Sequence, residues 1–428
     1  MFHTFEQVNH FLDERKRGKI LPGLDRVENL LETIDHPEEK FKSIHVAGTN
    51  GKGSTVAYIA TSLEINNYKV GTFTSPSIVK RNDMIQINKR PISDQSFLEQ
   101  FNRLLPGINA LDQQGNPPSS FEIIVAIAFG YYDTENVDIA LIEAGMGGLE
   151  DATNCLNPIL SIITTIGTDH SDFLGKTYQE IALHKAGIIK RQTPVILGEV
   201  PKQAESVVQA TAKQNNARLL QLGADFYYQN SQLDQNKKET FTFKTEKDTF
   251  KFTLVMHGKH QVHNASLAVM ALLMLEGIGF SRATSDIENT IGSTKLIGRF
   301  EQIATNPIVI IDGAHNAEGI AGFIETVKRY FPAEKKQLLF AAFADKPLTN
   351  MINQVDDQFD KVVFTSFDHP RAAEASELYQ YSTNKNREYQ HNWQEALNGL
   401  LKNEADQTIT FVTGSLDFIG KVRGFFEK

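Results

Sequence analysis

The sequence predicts an α/β protein of two domains. Residues 1–296 read as a P-loop-containing domain built on a doubly wound, mainly parallel sheet, and residues 297–428 as a smaller Rossmann-like α/β domain. Three observations predict this. The chain has 428 residues, too many for one core when a domain takes roughly 150. Continuous apolar runs at 137–143 and 159–166 alternate with helical patterns. Runs without polar interruption suit parallel strands covered on both faces, so the alternation implies a doubly wound sheet. Around IGSTKLIGR, residues 291–299, periodicity weakens and two glycines appear, after which strand and helix patterns begin again.

Taken in order, residues 4–17 and 23–34 read as amphipathic helices. Phe41, Ile44 and Val46 mark a strand that runs into a glycine-rich loop, and a helix follows over 52–65. A second strand over 69–74 closes at Ser75 and Pro76. Residues 84–92 have the alternation of a short hairpin, and 121–132 predict a strongly apolar, buried helix. From 224 to 256 aromatic and polar residues alternate (Phe226, Tyr228, Phe241, Phe243, Phe250, Phe252), which predicts antiparallel hairpins in a small subdomain at the sheet edge. Residues 178–190 and 260–275 are helical. In the second domain four apolar runs, 307–311, 337–343, 361–367 and 408–413, alternate with helical patterns.

Charge and cysteine content narrow the class. Lys and Arg number 43 against 52 Asp and Glu, a formal charge of −9. Non-specific nucleic-acid binding needs a basic face, so no nucleic-acid partner is expected. The single cysteine, Cys155, allows no internal disulfide, fits a reducing compartment and reads as a small core residue. The opening MFHTFEQVNHFLDERKRGK carries acids and amides where a signal peptide needs an apolar run. No stretch approaches the roughly 18 apolar residues of a membrane span. These features predict a cytoplasmic enzyme or binding protein with no membrane partner.

The sharpest chemical signal is His45-Val-Ala-Gly48-Thr49-Asn50-Gly51-Lys52-Gly53-Ser54 between a predicted strand and a predicted helix. Glycines let the backbone turn tightly with its N–H groups inward, the helix N-terminus adds partial positive charge, and a lysine reaches the outer phosphates. The motif departs from the common P-loop pattern. Val46 stands where the first glycine belongs, and Gly53 where Ser or Thr follows the lysine. Glu143 ends a buried apolar strand and would project into the crevice beside this loop, where Mg²⁺ would bridge nucleotide oxygens. Gly145-Met-Gly-Gly148 behind it permits close backbone approach to a ligand.

In this form the chain resembles the folylpolyglutamate synthase and dihydrofolate synthase family, relatives of the Mur ligases. The resemblance runs in order through Thr74-Ser75-Pro76, Ile142 to Gly148, Asp151-Ala-Thr-Asn154, Asp169-His170 and His184-Lys185-Ala-Gly-Ile-Ile-Lys190. It continues through His260-Gln261 with Asn264-Ala265, Gly298-Arg299, Asp312-Gly-Ala-His315-Asn316 and Thr413-Gly-Ser-Leu416. It implies ATP-dependent ligation of L-glutamate to a folate-type carboxylate, either a tetrahydrofolate or dihydropteroate.

The resemblance also implies a site. ATP would be held by Gly48, Thr49, Asn50, Gly51, Lys52, Gly53 and Ser54, with Asn264, Arg299 and Asp312 on adenine and ribose. Arg299 lies at the hinge and would reach the phosphates when the domains close. Two Mg²⁺ ions are implied, one on Ser75 and Glu143 and a second on His170, supported by Lys185 as a carbamate formed with CO₂. Carbamate formation needs the neutral amine, and with a pKa near 10.4 only about one lysine in 10³ is neutral at pH 7. The site must therefore depress that pKa or capture the product. His315 and Ser415 would handle glutamate, Phe121 would stack on the pterin, and residues 75–83 would form a mobile loop. Lys52, Lys185, His170, Asp312 and His315 form the expected catalytic set. The chain has Asp345-Lys346-Pro347 where the family often has Asp-Lys-Asp, and Asp417 where a tyrosine is common. Both departures touch glutamate recognition, not the ATP site. Relatives are commonly monomeric. Two other readings stay open: a Mur-type ligase acting on a UDP-muramyl acceptor, and a nucleotide-dependent switch that uses the same loop without ligation.

Overall fold

The computed structural model describes residues 1–15, 22–402 and 408–427. Its first sheet has eight strands: β1 (Ser43–Ala47), β2 (Val70–Phe73), β3 (Ile85–Ile87), β4 (Arg90–Pro91), β5 (Ile139–Glu143), β6 (Leu160–Ile163), β7 (Val195–Leu197) and β8 (Leu219–Gln221). Their order is β4-β3-β2-β5-β1-β6-β7-β8. The six strands from β2 to β8 in that order pair in parallel, while β3 and β4 form an antiparallel edge. The chain winds from β1 out to β2 on one side and later to β6, β7 and β8 on the other, so the winding reverses beside β1. Ligands gather outside the carboxyl ends of strands at such a point.

Helices cover both faces. The chain order is α1 (Phe5–Arg15), α2 (Asp25–Thr33), α3 (Lys52–Ile65), α4 (Asp94–Gln113), α5 (Ser120–Thr134), α6 (Ser171–Leu174), α7 (Tyr178–Ala186), α8 (Lys202–Gln214), α9 (Lys259–Glu276) and α10 (Ile287–Gly292). In β5, Ile139 and Leu141 join the core with α3 and α9, and Ala140 and Ile142 join the opposite core with α2, α4 and α5. A strand buried on both sides shows no polar alternation, which is why its sequence is uniformly apolar. Three antiparallel strands, β9 (Tyr227–Leu233), β10 (Glu239–Lys244) and β11 (Thr249–Leu254), form a separate sheet. Phe241, Phe243 and Phe252 fold its inner face into the α3–α9 core.

Residues 293–300 connect α10 to a six-stranded sheet of β12 (Glu301–Thr305), β13 (Ile308–Ile311), β14 (Lys336–Phe340), β15 (Lys361–Ser366), β16 (Arg387–Asn392) and β17 (Ile409–Thr413). The order is β12-β13-β17-β14-β15-β16, parallel except for β12. It is flanked by α11 (Ala317–Tyr330), α12 (Leu348–Asp356), α13 (Ala375–Tyr381), α14 (Trp393–Leu401) and α15 (Leu416–Phe426).

Differences from the sequence expectation have local causes. The first helix reaches Arg15, and residues 16–17 of the expected span lie outside the described residues. The helix expected over 178–190 stops at Ala186. Gly187 packs there on Leu149, whose Cα would lie 2.4 Å from a Cβ on that glycine. The 20-residue α4 was not expected. Pro106 and Gly107 interrupt its pattern, yet Gly107 is where Thr33 of α2 packs. Cys155 is partly buried, its thiol donating to the Ala152 carbonyl at 3.3 Å. Residues 75–83, expected as a mobile loop, end in a 3₁₀ turn, Arg81–Met84. No helix among the described residues is long and apolar enough to cross a membrane.

Candidate active site

The phosphate-loop segment follows β1 and ends at the N-terminus of α3, whose first residue is Lys52. Gly48 (φ 154°) and Gly51 (φ 91°) take backbone conformations open to glycine. The loop is fastened to the residues after β6. Thr49 N donates to the Thr165 carbonyl (2.9 Å) and Thr49 Oγ1 to the Gly167 carbonyl (3.1 Å). Thr164 Oγ1 donates to the Asn50 carbonyl at 2.7 Å. Gly48 passes so close that a Cβ would lie 1.9 Å from Thr164 Oγ1. Gly48→Ala is therefore expected to cost more than about 2 kcal/mol of stability, read by denaturant unfolding, and to weaken ATP binding in the same protein.

Lys52 Nζ donates to the carbonyls of Gly48 (3.1 Å) and Thr49 (3.4 Å) and lies 3.6 Å from Glu143 Oε1. Glu143 sits at the end of β5. Burial pushes its pKa up, against the pull of Lys52, Arg299 and the Ser75 backbone N–H. A Cβ on Gly53 would come to 3.4 Å from Glu143 Oε2, so the side chain of a threonine here would stand in van der Waals contact with the carboxylate. Ser54 is buried and accepts from Gln261 Nε2 at 3.4 Å. Asn264 closes the loop from α9, its Oδ1 only 2.3 Å from where a Gly51 Cβ would stand.

Behind this pair lies Lys185 of α7, 3% exposed. It makes no hydrogen bond or ion pair with any described residue. Burial lowers its pKa to about 7, helped by Lys52 and opposed by Asp169 and Asp151. An unpaired buried ammonium is costly, so the amine is poised to lose its proton. His170 has a left-handed backbone (φ 55°) and brings Nε2 to 3.8 Å from Asp169 Oδ2. Burial lowers its pKa to about 4, and burial does the same for His315. Both imidazoles are uncharged at neutral pH. His315 Nδ1 lies 2.9 Å from the Gly313 carbonyl, so the proton belongs on Nδ1 and the lone pair on Nε2, 3.8 Å from Asp169 Oδ2.

Asp169 is where the two sheets' strand ends meet. Lys346, beyond β14, donates to its Oδ1 at 2.7 Å, and Asn316 Nδ2 donates to its Oδ2 at 3.1 Å. Burial opposes ionisation of this carboxyl, but the charges around it prevail and hold it well below the usual range. Since both histidines are neutral at pH 7, the Lys346 ammonium is the cation that matters. Asp312 spends both oxygens on main chain, accepting from Phe300 N and Ala314 N at 2.9 Å each. It thereby fixes the turn that carries Arg299, whose Nη1 donates to the Gly298 carbonyl at 3.2 Å. Ser415 is buried, and among the described residues its hydroxyl has no hydrogen-bond partner. The Phe121 ring packs on Gly145 and lies 5.9 Å from the Phe73 ring, against the core.

Of the residues singled out in the sequence, the structure brings Lys52, Ser75, Glu143 and Arg299 together, sets His170 and Lys185 within electrostatic reach of Lys52, Asn264 against Gly51, and Asp312 and His315 beside Arg299, with Ser415 following the strand that bonds the Asp312 carbonyl. Phe121 packs beside Gly145 against the core. Asp169, Asn316 and Lys346 were not assigned roles. They stood inside quoted motifs, and the adjacency of Asp169 to His170 was the available signal. Among the described residues no three His, Cys, Asp or Glu side chains are grouped to hold a metal.

The Mur ligase middle domain model matches residues 46–272, and the Mur ligase, glutamate ligase domain model matches residues 298–416. The chain is 36% identical to the dihydrofolate synthase/folylpolyglutamate synthase of Bacillus subtilis, covering 99% of both chains. It is 31% identical to the folylpolyglutamate synthase of Lacticaseibacillus casei, covering 93% of both. Among solved structures it is similar to the folylpolyglutamate synthase of Mycobacterium tuberculosis complexed with ADP, with TM-score 0.92, 27% identity and coverage of 99% of this chain and 98% of that one. It is likewise similar to the folylpolyglutamate synthase of Thermotoga maritima, with TM-score 0.85, 31% identity and coverage of 99% and 97%.

Proposed function

The chain belongs to the Mur ligase family, in its dihydrofolate synthase/folylpolyglutamate synthase branch, and on that premise we propose that it joins L-glutamate to a folate-type carboxylate, with ATP consumed through an acyl phosphate. It is an ATP-dependent acid–amino-acid ligase. The observation that carries the reading is the meeting of a phosphate loop with the strand ends of a second α/β domain, Asn50 against Asn316 and Asp169 against Lys346. A nucleotide switch has no need of a second domain whose cationic and amide groups bond to the phosphate loop and to Asp169 beside it. A ligase does, because the amine must reach the acyl phosphate before water does.

The residues derive the steps. Residues 1–296 hold ATP and the acceptor, and residues 297–428 bring glutamate. The amides of Gly48 and residues 51–54, with those of Thr49 and Asn50 already bonded to Thr165, and the Lys52 ammonium spread the charge of the transferring phosphoryl group as the acceptor carboxylate attacks it. Asn264, Arg299 and Asp312 hold the nucleoside end and set the hinge. The amine of glutamate then attacks the acyl carbon, and phosphate leaves. His315 Nε2, with its lone pair free, takes the amine's proton, and the unsatisfied Ser415 hydroxyl binds a glutamate carboxylate. Asp169 holds Lys346, and closure of the domains excludes water.

The donor set fits divalent cations. Glu143 is a buried carboxylate next to the loop lysine, with Ser75 beside it, and these two would hold one Mg²⁺. His170 and a carbamylated Lys185 would hold a second. The unpaired, buried amine of Lys185 supports that modification, since the carbamate replaces a stranded cation with an anion. Bound there, the metals would neutralise phosphate charge. We read the protein as a cytoplasmic monomer acting on small molecules, with Phe121 on the wall of the pterin pocket and neither nucleic acid nor membrane as partner.

The test is phosphate release with Mg-ATP and glutamate in the presence of each acceptor in turn. Release with tetrahydrofolate carrying one glutamate is the expected result, and release with dihydropteroate as well makes the enzyme bifunctional. Release with a UDP-muramyl acceptor alone would move the chain to the peptidoglycan branch, and release with none would leave the folate reading without support.

A further inference from the structure

We infer that Asn316 is a positioning residue that locks the amine-delivering domain onto the phosphate loop, so that acyl phosphate forms with the incoming amine already in place. The inference rests on the ligase reading above and extends it to a residue outside the catalytic set.

Asn316 is fully buried between the two sheets. A side-chain amide has two donor hydrogens and an oxygen with two lone pairs, and all four are used. Oδ1 accepts from Gly319 N at 2.8 Å, capping α11, and from Asn50 Nδ2 at 3.3 Å. Nδ2 donates to Asn50 Oδ1 at 3.0 Å and to Asp169 Oδ2 at 3.1 Å. Asn316 and Asn50 thus form a reciprocal amide pair between one domain and the other's phosphate loop.

Asn50 is prepared for this. Its backbone is held within its own domain, N donating to Thr165 Oγ1 (2.9 Å) and the carbonyl accepting from Thr164 Oγ1 (2.7 Å) and Thr165 Oγ1 (3.0 Å). Its side chain is left to face Asn316. Two neighbours reinforce the contact. Glu318 Oε1 accepts from Thr168 N and Oγ1 at 2.9 and 3.0 Å, and Lys346 holds Asp169 at 2.7 Å. Capping alone would be served by serine, threonine or aspartate. Only an amide caps the helix and also donates to Asn50 and Asp169. Aspartate here would set a second carboxylate beside Asp169, and serine is too short to reach Asn50.

Without the lock, acyl phosphate would form while the second domain is displaced. Water would then add to it, returning the carboxylate and inorganic phosphate with no amide made and ATP lost. Asn316→Ser keeps the cap and removes the lock. Its expected properties are a melting temperature near that of the parent, ATP affinity within about twofold, and a KM for glutamate raised roughly tenfold or more. Phosphate should also appear in severalfold excess over amide. Asn316→Asp should show the same uncoupling more strongly. Asn50→Ser should match Asn316→Ser in the raised glutamate KM and the excess of phosphate over amide, and in these two readouts the double variant should be no worse than the worse single one, because the pair is broken once. An Asn316→Ser protein with unchanged glutamate KM and one phosphate per amide overturns the inference. So does a lowered melting temperature with coupling intact, which would make the Asn316 hydrogen bonds a matter of fold stability only. If the parent protein joins glutamate to no acceptor, the ligase reading fails by itself. The lock is then judged by hydrogen exchange. Asn316→Ser must speed exchange in residues 165–170, and unchanged exchange overturns it.

Discussion

Replacing Lys52 by alanine is expected to lower ATP turnover by about 10³-fold or more while the protein stays folded. The ammonium donates to the Gly48 and Thr49 carbonyls and sits 3.6 Å from Glu143, which keeps it at the mouth of the glycine-rich loop. On the proposed mechanism its removal deprives the transferring phosphoryl group of the loop's ammonium. Two opposing effects keep the stability change small. Glu143 loses a counter-charge, but Lys185 loses a repelling neighbour. Circular dichroism and a melting curve close to the parent's, with phosphate release abolished, are the expected pair of results. Near-normal turnover in Lys52→Ala would remove the phosphate-loop assignment.

The second large effect belongs to Lys185. Lys185→Ala is expected to reduce ligation by about 10²-fold or more, with ATP affinity much less affected. The parent protein, handled with bicarbonate, should carry the added mass of one CO₂ on the peptide containing Lys185, seen by mass spectrometry without acid treatment. Carbamate forms from the neutral amine. Because burial lowers the lysine pKa to about 7, re-carbamylation after CO₂ stripping should speed up through neutral pH and level off above it, not continue rising to the ordinary lysine range. The linkage has a definite sign. Between about 7 and the ordinary value of 10.5 the unfolded chain binds more protons at this site than the folded one. The CO₂-stripped protein therefore gains stability from Lys185 as pH rises through that window, and below it the buried ammonium opposes folding in full. An unmodified lysine together with a fully active Lys185→Ala protein would show the residue to be an ordinary buried lysine.

How much of this could be read from sequence follows the distance over which each feature is built. The phosphate loop was legible because strand, glycines, lysine and helix are consecutive, and Glu143 because a charge ending a uniformly apolar strand has few structural uses. The alternating aromatics of 226–252 announced their hairpins. By contrast, α4 was hidden by Pro106 and Gly107. The edge strand β16, Arg-Glu-Tyr-Gln-His-Asn, carries no apolar signature. The strand β7 is three residues long. The contacts between sheets were beyond sequence reading. Lys346 meets Asp169 across 177 positions and Asn316 meets Asn50 across 266, and in the sequence each residue taken singly reads as an ordinary surface polar group. The unpaired state of Lys185 was likewise invisible, since its burial depends on the packing of α7 beneath Gly147 and Gly148.

The central claim is that the acceptor carboxylate is activated as an acyl phosphate, and isotope transfer tests it most directly. The acceptor's terminal carboxylate would be labelled with ¹⁸O and incubated with Mg-ATP and glutamate, and the released phosphate and the amide product would be examined by mass spectrometry. The account predicts one labelled oxygen in each phosphate released and the other in the new amide carbonyl, with phosphate and amide formed in equal amounts. Phosphate free of label, or phosphate released without a glutamate adduct, would contradict it.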